Sequence, residues 1–249
     1  MNLLTPKYGF DVAFSKQMVQ ASMDAYLSEE DMHSVCERWD CEDIEFIACP
    51  ATDTECIAIY GADQLILAFR GTSSKKDLFT DFTAVKSRYL GTTVHKGFRD
   101  AWLSIEDKVL SYVDKVKPQK VRVAGHSLGG ALATHAALSV SLWRFSDCQF
   151  EMDRPSLYTY GSPRVGDKAF SDLVNSTVFD HYRVTNGRDI IPRVPIFFRT
   201  NILLPESLPL IPTGETLKHC GAHIPLKSKS SRFFELRHKL DHYMEAHEG

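Results

Sequence analysis

A serine flanked by two glycines is the feature of this 249-residue chain that points most directly to chemistry. The segment Gly125-His126-Ser127-Leu128-Gly129 follows a short β-branched run at 121–124 and precedes a stretch rich in alanine. A strand, a tight turn and a helix in this order form a nucleophile elbow, which exposes the serine hydroxyl at the end of a sheet. Glycine is needed on either side because larger side chains would collide with the neighbouring strand and helix. The pattern predicts that Ser127 is a nucleophile, although a glycine-rich strand–helix connection or a phosphate loop shares this local sequence.

A nucleophilic serine needs a base to remove its proton and a carboxylate to orient that base. The chain has ten histidines. In α/β-hydrolases the histidine follows the acid along the chain, which favours the C-terminal candidates His238, His242 and His247. Their spacing alone does not choose among them. Histidines within predicted helices, predicted strands or the turn itself are interpreted as packing residues: His95, His126, His135, His181, and His219 and His223 in a strand predicted over 217–226.

An aspartate follows a predicted strand at 179–184 and is the candidate acid. In open α/β sheets the ligand site lies beyond the carboxyl ends of the strands. Asp189 stands just past such an end and is followed by Pro192, so its carboxylate can reach inward toward a histidine. An ordinary turn carboxylate is the alternative.

The elements that must hold these residues alternate between strand and helix patterns. Apolar residues at helical spacing predict helices over 14–26 and 98–112, whereas the polar residues 27–43 predict no particular element. A continuous apolar run at 65–69 is typical of a strand covered on both faces. Further strands are predicted at 45–49, 55–60, 121–124 and 157–160, with part of a helix at 170–174. The alternation predicts one α/β domain over 1–249, with a mostly parallel sheet and helices on both faces.

Composition excludes several classes of function. The chain is 43% hydrophobic and 24% charged with a formal charge of −3, which gives no global electrostatic case for nucleic acid. The basic run at 227–232 is typical of a solvated loop. No apolar run is long enough to span a bilayer. Residues 1–16 lack the pattern of a signal peptide, so a cytoplasmic location is expected unless an export signal has been removed.

Metal sites are not expected from the cysteines or the histidines. The six cysteines contain no CxxC pair, and without a secretory signal reduced thiols are expected. His238 and His242 are four residues apart, but no glutamate completes an HExxH pattern. The predicted acyl transfer also requires no organic cofactor.

The chain resembles the class 3 lipases, an α/β-hydrolase family that includes filamentous-fungal triacylglycerol lipases, feruloyl esterases and some plant phospholipases. The resemblance rests on six blocks in one order and covers roughly residues 65–244. These blocks are 69–72, 94–98, 125–130, 160–167, 186–195 and 241–244.

The resemblance implies the remaining roles. It makes Asp189 the acid, in the family's Asp-Ile-x-Pro-Arg pattern, rather than Asp167 or Asp180. It makes His242 the base, in an Asp-His-x-Met context. It also makes Arg70 a structural ion-pair residue and His219 a structural histidine.

An oxyanion hole needs two donors aimed at the charge that develops on the substrate oxygen. The N–H of Leu128, directly after the nucleophile, is one donor by geometry. The resemblance places the other at Thr72, through its N–H and its hydroxyl.

Two segments are expected to meet the substrate. In the resembling lipases a helical lid follows the oxyanion residue, and here Leu78, Phe79 and Phe82 would give segment 73–82 one apolar face. A fixed surface helix is the alternative. Residues 190–212 are apolar and proline-rich, and Phe197 and Phe198 make an acyl-chain wall plausible, with packing under a long loop as the alternative.

Together these features predict a serine-dependent hydrolase of carboxylic esters, with fatty acyl glycerides as the favoured substrates and a lipid–water interface as a possible partner. Phospholipids, feruloyl esters or short-chain esters are the alternatives on the same triad. A catalytically silent lipase-like scaffold is the alternative from another class.

Overall fold

The computed structural model describes residues 9–71, 85–178, 180–187, 189, 191–193, 216–226 and 240–247. The strands in these ranges are β1 Asp43–Cys49, β2 Thr54–Gly61, β3 Gln64–Phe69, β4 Lys86–Tyr89, β5 Thr92–His95, β6 Lys120–His126, β7 Ser156–Tyr160, β8 Asp180–Asn186 and β9 Ala222–Leu226. The α-helices are α1 Val12–Asp24, α2 Met32–Trp39, α3 Lys96–Leu103, α4 Glu106–Val116, α5 Leu128–Ser146, α6 Lys168–Thr177 and α7 Leu240–Ala246. Short 3-10 turns occur at Glu29–Asp31, Pro50–Thr52 and Ile191–Arg193.

The main sheet in the described ranges has seven strands in the order β1-β2-β3-β6-β7-β8-β9. Strands β1, β2 and β3 pair antiparallel, and every pair from β3 to β9 is parallel. The register pairs Phe69 with Gly125, His126 with Tyr160, and Tyr160 with Val184. The carboxyl ends of β3, β6, β7 and β8 therefore lie side by side at one edge, where α/β sheets place their ligand sites.

Both faces of the sheet are covered, as the apolar run at 65–69 predicts. Leu65, Leu67 and Phe69 are fully buried in a core that includes residues of α3 to α6. Ala68, between them, packs on the opposite face in a cluster with residues of α1 and α2. On that second face α7 joins α1 against β7 and β8, through Tyr243 and Met18 among others. This placement brings the C-terminal helix to the sheet edge where β6, β7 and β8 end.

The helix predicted over 98–112 is wrong as a single element, because α3 ends at Leu103 and α4 begins at Glu106. At the break, the N–H of Ile105 donates to the carbonyl of Trp102, and the Ile105 backbone leaves the helical region at φ −127° and ψ −3°. Phe98 and Val109 are nevertheless buried in the same core. Because α3 and α4 direct their apolar side chains to the same core, the spacing of apolar residues in the sequence resembles that of one continuous helix.

Two other sequence expectations need correction. The strand predicted over 217–226 begins only at Ala222, and Lys218 forms an isolated bridge with Gly166 instead. His219 therefore lies outside the strand. The polar stretch without a predicted element contains α2, which buries only Met32 and Val35. Two buried side chains in eight residues give the sequence few apolar positions from which to predict this helix.

The expectation of fully reduced cysteines is wrong for one pair. Cys36, within α2, forms a disulfide with Cys41, which lies between α2 and β1. The other four cysteines are free thiols: Cys49, Cys56, Cys148 and Cys220. A residue in the left-handed conformation, Asp40, ends α2 and turns the chain so that the two sulfurs meet. This closure depends on backbone geometry that cysteine spacing does not reveal.

The described part of the chain contains no group of three or more His, Cys, Asp or Glu side chains arranged to hold a metal ion. None of its helices is long and apolar enough to cross a bilayer.

Two fully buried histidines make the stability of the fold sensitive to acid. His135 on α5 lies between the rings of Tyr89 and Phe170, and neither of its ring nitrogens has a hydrogen-bond partner in the described structure. Burial lowers the pKa of His135 and of His181 on β8 from 6.5 to about 3. Both rings stay neutral in the folded state, so below pH 6.5 the unfolded chain binds protons that the folded chain does not bind.

We therefore expect the free energy of unfolding to fall as the pH drops from 6.5 toward 3. Each of the two histidines should cost about 2 kcal/mol at pH 5 relative to pH 7.5. Denaturant unfolding at both pH values measures this, with His135→Leu as the test variant. In His135→Leu, the difference between the free energies of unfolding at the two pH values should be smaller by about 2 kcal/mol, the contribution expected of one histidine. An unchanged difference in His135→Leu would show that His135 is protonated equally in both states.

Candidate active site

The turn between β6 and α5 consists of Ser127 alone, because β6 ends at His126 and α5 begins at Leu128. Ser127 has φ 57° and ψ −126°, a backbone conformation that L-residues rarely adopt and that costs on the order of 1–3 kcal/mol. Its N–H donates to the carbonyl of Tyr160 at 2.9 Å, which ties the turn to β7. The Ser127 Oγ is buried and has no hydrogen-bond partner in the described part of the chain. The turn thus presents an unpaired hydroxyl at the end of β6.

The two flanking glycines permit this turn for the steric reason that the sequence suggests. A Cβ on Gly125 would lie 2.1 Å from the carbonyl oxygen of Gly129. A Cβ on Gly129 would lie 2.1 Å from the carbonyl oxygen of Phe69 on β3. Both obstacles are backbone atoms, which cannot rotate away as a side chain can, so the elbow requires glycine at both positions.

Of the two predicted oxyanion donors, Leu128 lies within the described residues, at the amino end of α5. Leu128 is the first residue of α5, a position whose N–H has no acceptor within its own helix. Gly71 follows β3, and a Cβ on it would lie 3.3 Å from the Cβ of Ser127. The second predicted donor, Thr72, is the next residue along the chain and lies outside the described residues.

Tyr26, which follows α1, is a residue of the site that sequence reasoning missed. Its hydroxyl lies 3.1 Å from Nδ1 of His126. Burial raises the pKa of Tyr26 to about 12, against the opposing effects of a hydrogen bond with the Gly71 backbone and the charge of Arg70. Tyr26 therefore bridges the elbow and the strand end that leads to Thr72. Helical periodicity at 14–26 indicated packing against the core but could not indicate a contact one hundred residues away.

Arg70 is an ion-pair residue, as the family resemblance implies. Its guanidinium lies 2.5 Å from a carboxylate oxygen of Asp53 and 3.0 Å from one of Glu55. Asp53 directly precedes β2 and Glu55 is its second residue, so Arg70, which follows β3, connects the two neighbouring strands. These two contacts hold the guanidinium beside the start of β2.

Asp189 is a buried acceptor three residues past the end of β8. Its Oδ1 accepts from the N–H of Ile191 at 3.0 Å. Its Oδ2 accepts from the hydroxyl of Tyr243 at 2.6 Å. The backbone N–H of Asp189 itself donates to the carbonyl of Asn186 at 3.0 Å, which closes the turn. The carboxylate is thus fixed on both oxygens and lies against the C-terminal helix.

His242 lies on α7, with its backbone attached to the same strand end. Its carbonyl accepts from Nδ2 of Asn186 at 3.2 Å. Its ring is mostly buried, and Nδ1 lies 3.2 Å from Oε2 of Glu245, one turn further along the helix. The ring of the next residue, Tyr243, lies 6.0 Å from the ring of His126, beside Ser127. The structure therefore brings the backbone of the three predicted triad residues to one edge of the sheet. The imidazole contacts Glu245, and no hydrogen bond joins it to the Ser127 hydroxyl within the described residues.

The other histidines have structural contacts. Both ring nitrogens of His247 are engaged, with the Ser15 hydroxyl at 2.8 Å and the Tyr243 carbonyl at 2.6 Å. His219 lies 2.5 Å from the carbonyl of Pro192 through Nε2, and burial lowers its pKa to about 3. His95 caps α3 and stacks on Phe98, with ring centroids 4.1 Å apart. His238, an alternative base on residue spacing, lies outside the described residues.

Comparison with known proteins identifies the family. A sequence profile of the lipase (class 3) family matches residues 66–198, more than half of the chain. The chain belongs to the class 3 lipase family. Its mostly parallel sheet and covering helices are those of the α/β-hydrolase fold.

Individual class 3 lipases match over part of their length. A lipase from Rhizomucor miehei is 37% identical over 175 residues, which are 63% of this chain and 47% of that protein. A secreted mono- and diacylglycerol lipase from Fusarium solani is 35% identical over 53% of this chain and 39% of its own length. The chain thus spans about half the length, or less, of these curated relatives. A solved triacylglycerol lipase, described as having a serine protease triad as its catalytic centre, is 31% identical with a TM-score of 0.60 and covers 74% of each chain.

These relatives give no support to the cytoplasmic location expected from the sequence, since the Fusarium solani lipase is secreted. The predicted lid, with Leu78, Phe79 and Phe82, lies outside the described residues. So does the predicted acyl-chain wall at Phe197 and Phe198.

Proposed function

We propose that this chain hydrolyses carboxylic esters through a serine nucleophile, with fatty acyl glycerides as its substrates. The observation that carries the proposal is the elbow itself. The chain tolerates a strained backbone at Ser127 and two glycines that no other residue can replace. The result is a hydroxyl at the carboxyl edge of the sheet that has no hydrogen-bond partner among the described residues. Strain of this kind persists where the surrounding structure imposes it, and it is concentrated at functional sites.

In the proposed mechanism His242 removes the proton of Ser127 as the hydroxyl attacks the ester carbonyl. Asp189 accepts a hydrogen bond from the imidazole and stabilises the imidazolium. The N–H groups of Leu128 and Thr72 hold the oxyanion of the tetrahedral intermediate. His242 then protonates the leaving alcohol, and water hydrolyses the acyl-enzyme to release the fatty acid.

For hydrogen bonds to run from Asp189 through His242 to Ser127, the His242 ring must leave Glu245 and contact Asp189 instead. In the structure Nδ1 faces Glu245, whose side chain is 58% exposed. A contact with so exposed a carboxylate contributes little to stability, so leaving Glu245 costs little. The two oxygens of the Asp189 carboxylate offer about four acceptor sites, and Ile191 and Tyr243 donate to them from two sides. We propose that the Glu245 pair is a resting arrangement and the Asp189 pair the reactive one.

A substrate panel tests the ester class. Hydrolysis of p-nitrophenyl esters from acetate to palmitate should rise toward the longer chains, and emulsified di- and triacylglycerols should also be hydrolysed. Phosphatidylcholine and methyl ferulate serve as probes of the alternative phospholipase and feruloyl esterase activities. A preference for acetate, or for either probe, would contradict the glyceride assignment while leaving the serine mechanism intact. Absence of both hydrolysis and fluorophosphonate labelling would support the silent scaffold.

We further infer that the protein works outside the cell. Two observations support this: the Cys36–Cys41 disulfide, and the match to a secreted relative. Disulfides persist in oxidising compartments and are rare in the cytosol. Thiol titration of the unreduced, denatured protein, isolated from its native source, should detect the four free cysteines. Detection of all six thiols would remove the structural support for secretion.

A further inference from the structure

Tyr243, the residue directly after the proposed base, lies at the centre of a hydrogen-bond clamp. Its side chain is fully buried, and its hydroxyl lies 2.6 Å from Oδ2 of Asp189 and 3.3 Å from the backbone nitrogen of Asn186. The proton positions follow from chemistry, because an amide N–H only donates and an ionised carboxylate only accepts. The tyrosine hydroxyl must therefore accept from Asn186 and donate to Asp189.

Asn186 makes a second contact with the same helix. Its side-chain Nδ2 donates to the carbonyl of His242 at 3.2 Å. Asn186 is the last residue of β8 and is fully buried. Through its backbone and its side chain it thus holds two consecutive residues of α7. The clamp fixes the position of α7 relative to the turn that carries Asp189.

We propose that Tyr243 is a positioning residue for the reaction, which orients Asp189 toward the imidazole and fixes the direction in which His242 leaves the helix. This inference rests on the proposed serine mechanism. Successive residues of an α-helix point about 100° apart, so anchoring the Tyr243 side chain inward sets the side to which His242 points. The bond to Oδ2, together with the Ile191 N–H on Oδ1, holds the plane of the carboxylate.

The surroundings keep the tyrosine hydroxyl a donor. Burial, together with the charge of Asp189, raises the pKa of Tyr243 well above its usual 10. Within the described residues, the other titratable groups around it include His126, whose ring lies 6.0 Å away, His247, whose Nδ1 contacts its carbonyl, and Arg183. The hydroxyl therefore retains its proton throughout the range in which a histidine base operates.

The test compares Tyr243→Phe with Tyr158→Phe. Tyr158 lies in the same aromatic cluster, on β7, and makes no contact with Asp189 in the described structure. Both variants lose one buried hydroxyl, but only Tyr243→Phe removes a donor to the carboxylate. For that variant we expect kcat on a soluble p-nitrophenyl ester to fall by about 10- to 100-fold, as for loss of a hydrogen bond to a charged group, with KM within about twofold.

The pH profile separates positioning from simple anchoring of the helix. A carboxylate that loses the tyrosine donor becomes a stronger acceptor for the imidazole, so the acid limb of kcat/KM should move to higher pH in Tyr243→Phe. Incorporation of 3-fluorotyrosine at position 243, which is a more acidic donor of nearly the same shape, should move that limb to lower pH. This second variant keeps the test available if Tyr243→Phe unfolds.

Three outcomes are informative. If wild-type protein hydrolyses the ester, Ser127→Ala does not, and Tyr243→Phe behaves like Tyr158→Phe, the positioning role is excluded. A lower melting temperature with an unshifted acid limb in both position-243 variants would also overturn it, because it would identify a structural anchor only. If wild-type protein neither hydrolyses the ester nor reacts with a fluorophosphonate, the serine mechanism itself has failed, which is a different result.

Discussion

Replacing Ser127 with alanine is expected to lower kcat for ester hydrolysis by roughly 10³- to 10⁶-fold without unfolding the protein. The substitution removes only the nucleophilic oxygen. That oxygen is buried and has no hydrogen-bond partner in the described part of the chain, so the fold loses no bond with it. Steady-state kinetics and thermal unfolding of the purified variant measure the two effects, and fluorophosphonate labelling should be lost as well. Retention of most of the activity would exclude Ser127 as the nucleophile.

Ser127→Gly is the matched variant for the strained backbone. It removes the same oxygen, and it also removes the Cβ that makes φ 57° and ψ −126° unfavourable. Relief of about 1–3 kcal/mol of strain should exceed the roughly 0.5–1 kcal/mol that glycine costs in conformational entropy. We therefore expect Ser127→Gly to be inactive and to melt at a higher temperature than Ser127→Ala. Equal melting temperatures would show that the elbow stores no strain at this residue.

Asp189→Asn is expected to lower kcat by about 10⁴-fold, the loss seen when the acid of a serine triad becomes an amide. An isosteric amide cannot accept on both sides. Its NH₂ group would face either the Ile191 N–H or the Tyr243 hydroxyl, both of which donate to the carboxylate now. The side chain would then present a donor where the imidazole also needs to donate. The imidazole would lose its orientation.

Glu245→Gln is the control, because Glu245 is the carboxylate that contacts His242 in this structure. If the Glu245 pair is a resting arrangement, this substitution should leave kcat within a few-fold of wild type, because Glu245 is largely exposed to solvent. The reverse result, a large loss in Glu245→Gln and a small one in Asp189→Asn, would make Glu245 the orienting acid.

Much of the architecture could be predicted from the sequence, because local patterns determine the local elements. The apolar run at 65–69 predicted a strand buried on both faces, and the structure confirms it as β3. Helix α1 and strand β7 also follow their predicted patterns. The division between α3 and α4 could not be predicted, since the break at Ile105 leaves the apolar residues of both helices facing one core. Periodicity records which side of an element is buried, not whether its backbone is continuous.

The candidate site divides in the same way. The elbow around Ser127 was predictable by itself, because its strand end, its turn and its glycines are contiguous in sequence and their steric conflicts are local. The positions of Asp189 and His242 came from chain order and family resemblance, and their prediction remains to be tested by the variants above.

Only the tertiary structure decided what surrounds these residues. Tyr26 meets His126 across 100 positions of the chain, and Tyr243 meets Asp189 across 54. The same folding gave His242 a carboxylate partner, Glu245, that no motif indicated. The physical reason is that a hydrogen bond depends on distance and direction in space. Residue type and spacing determine those quantities only within one turn or one element, and packing determines them everywhere else.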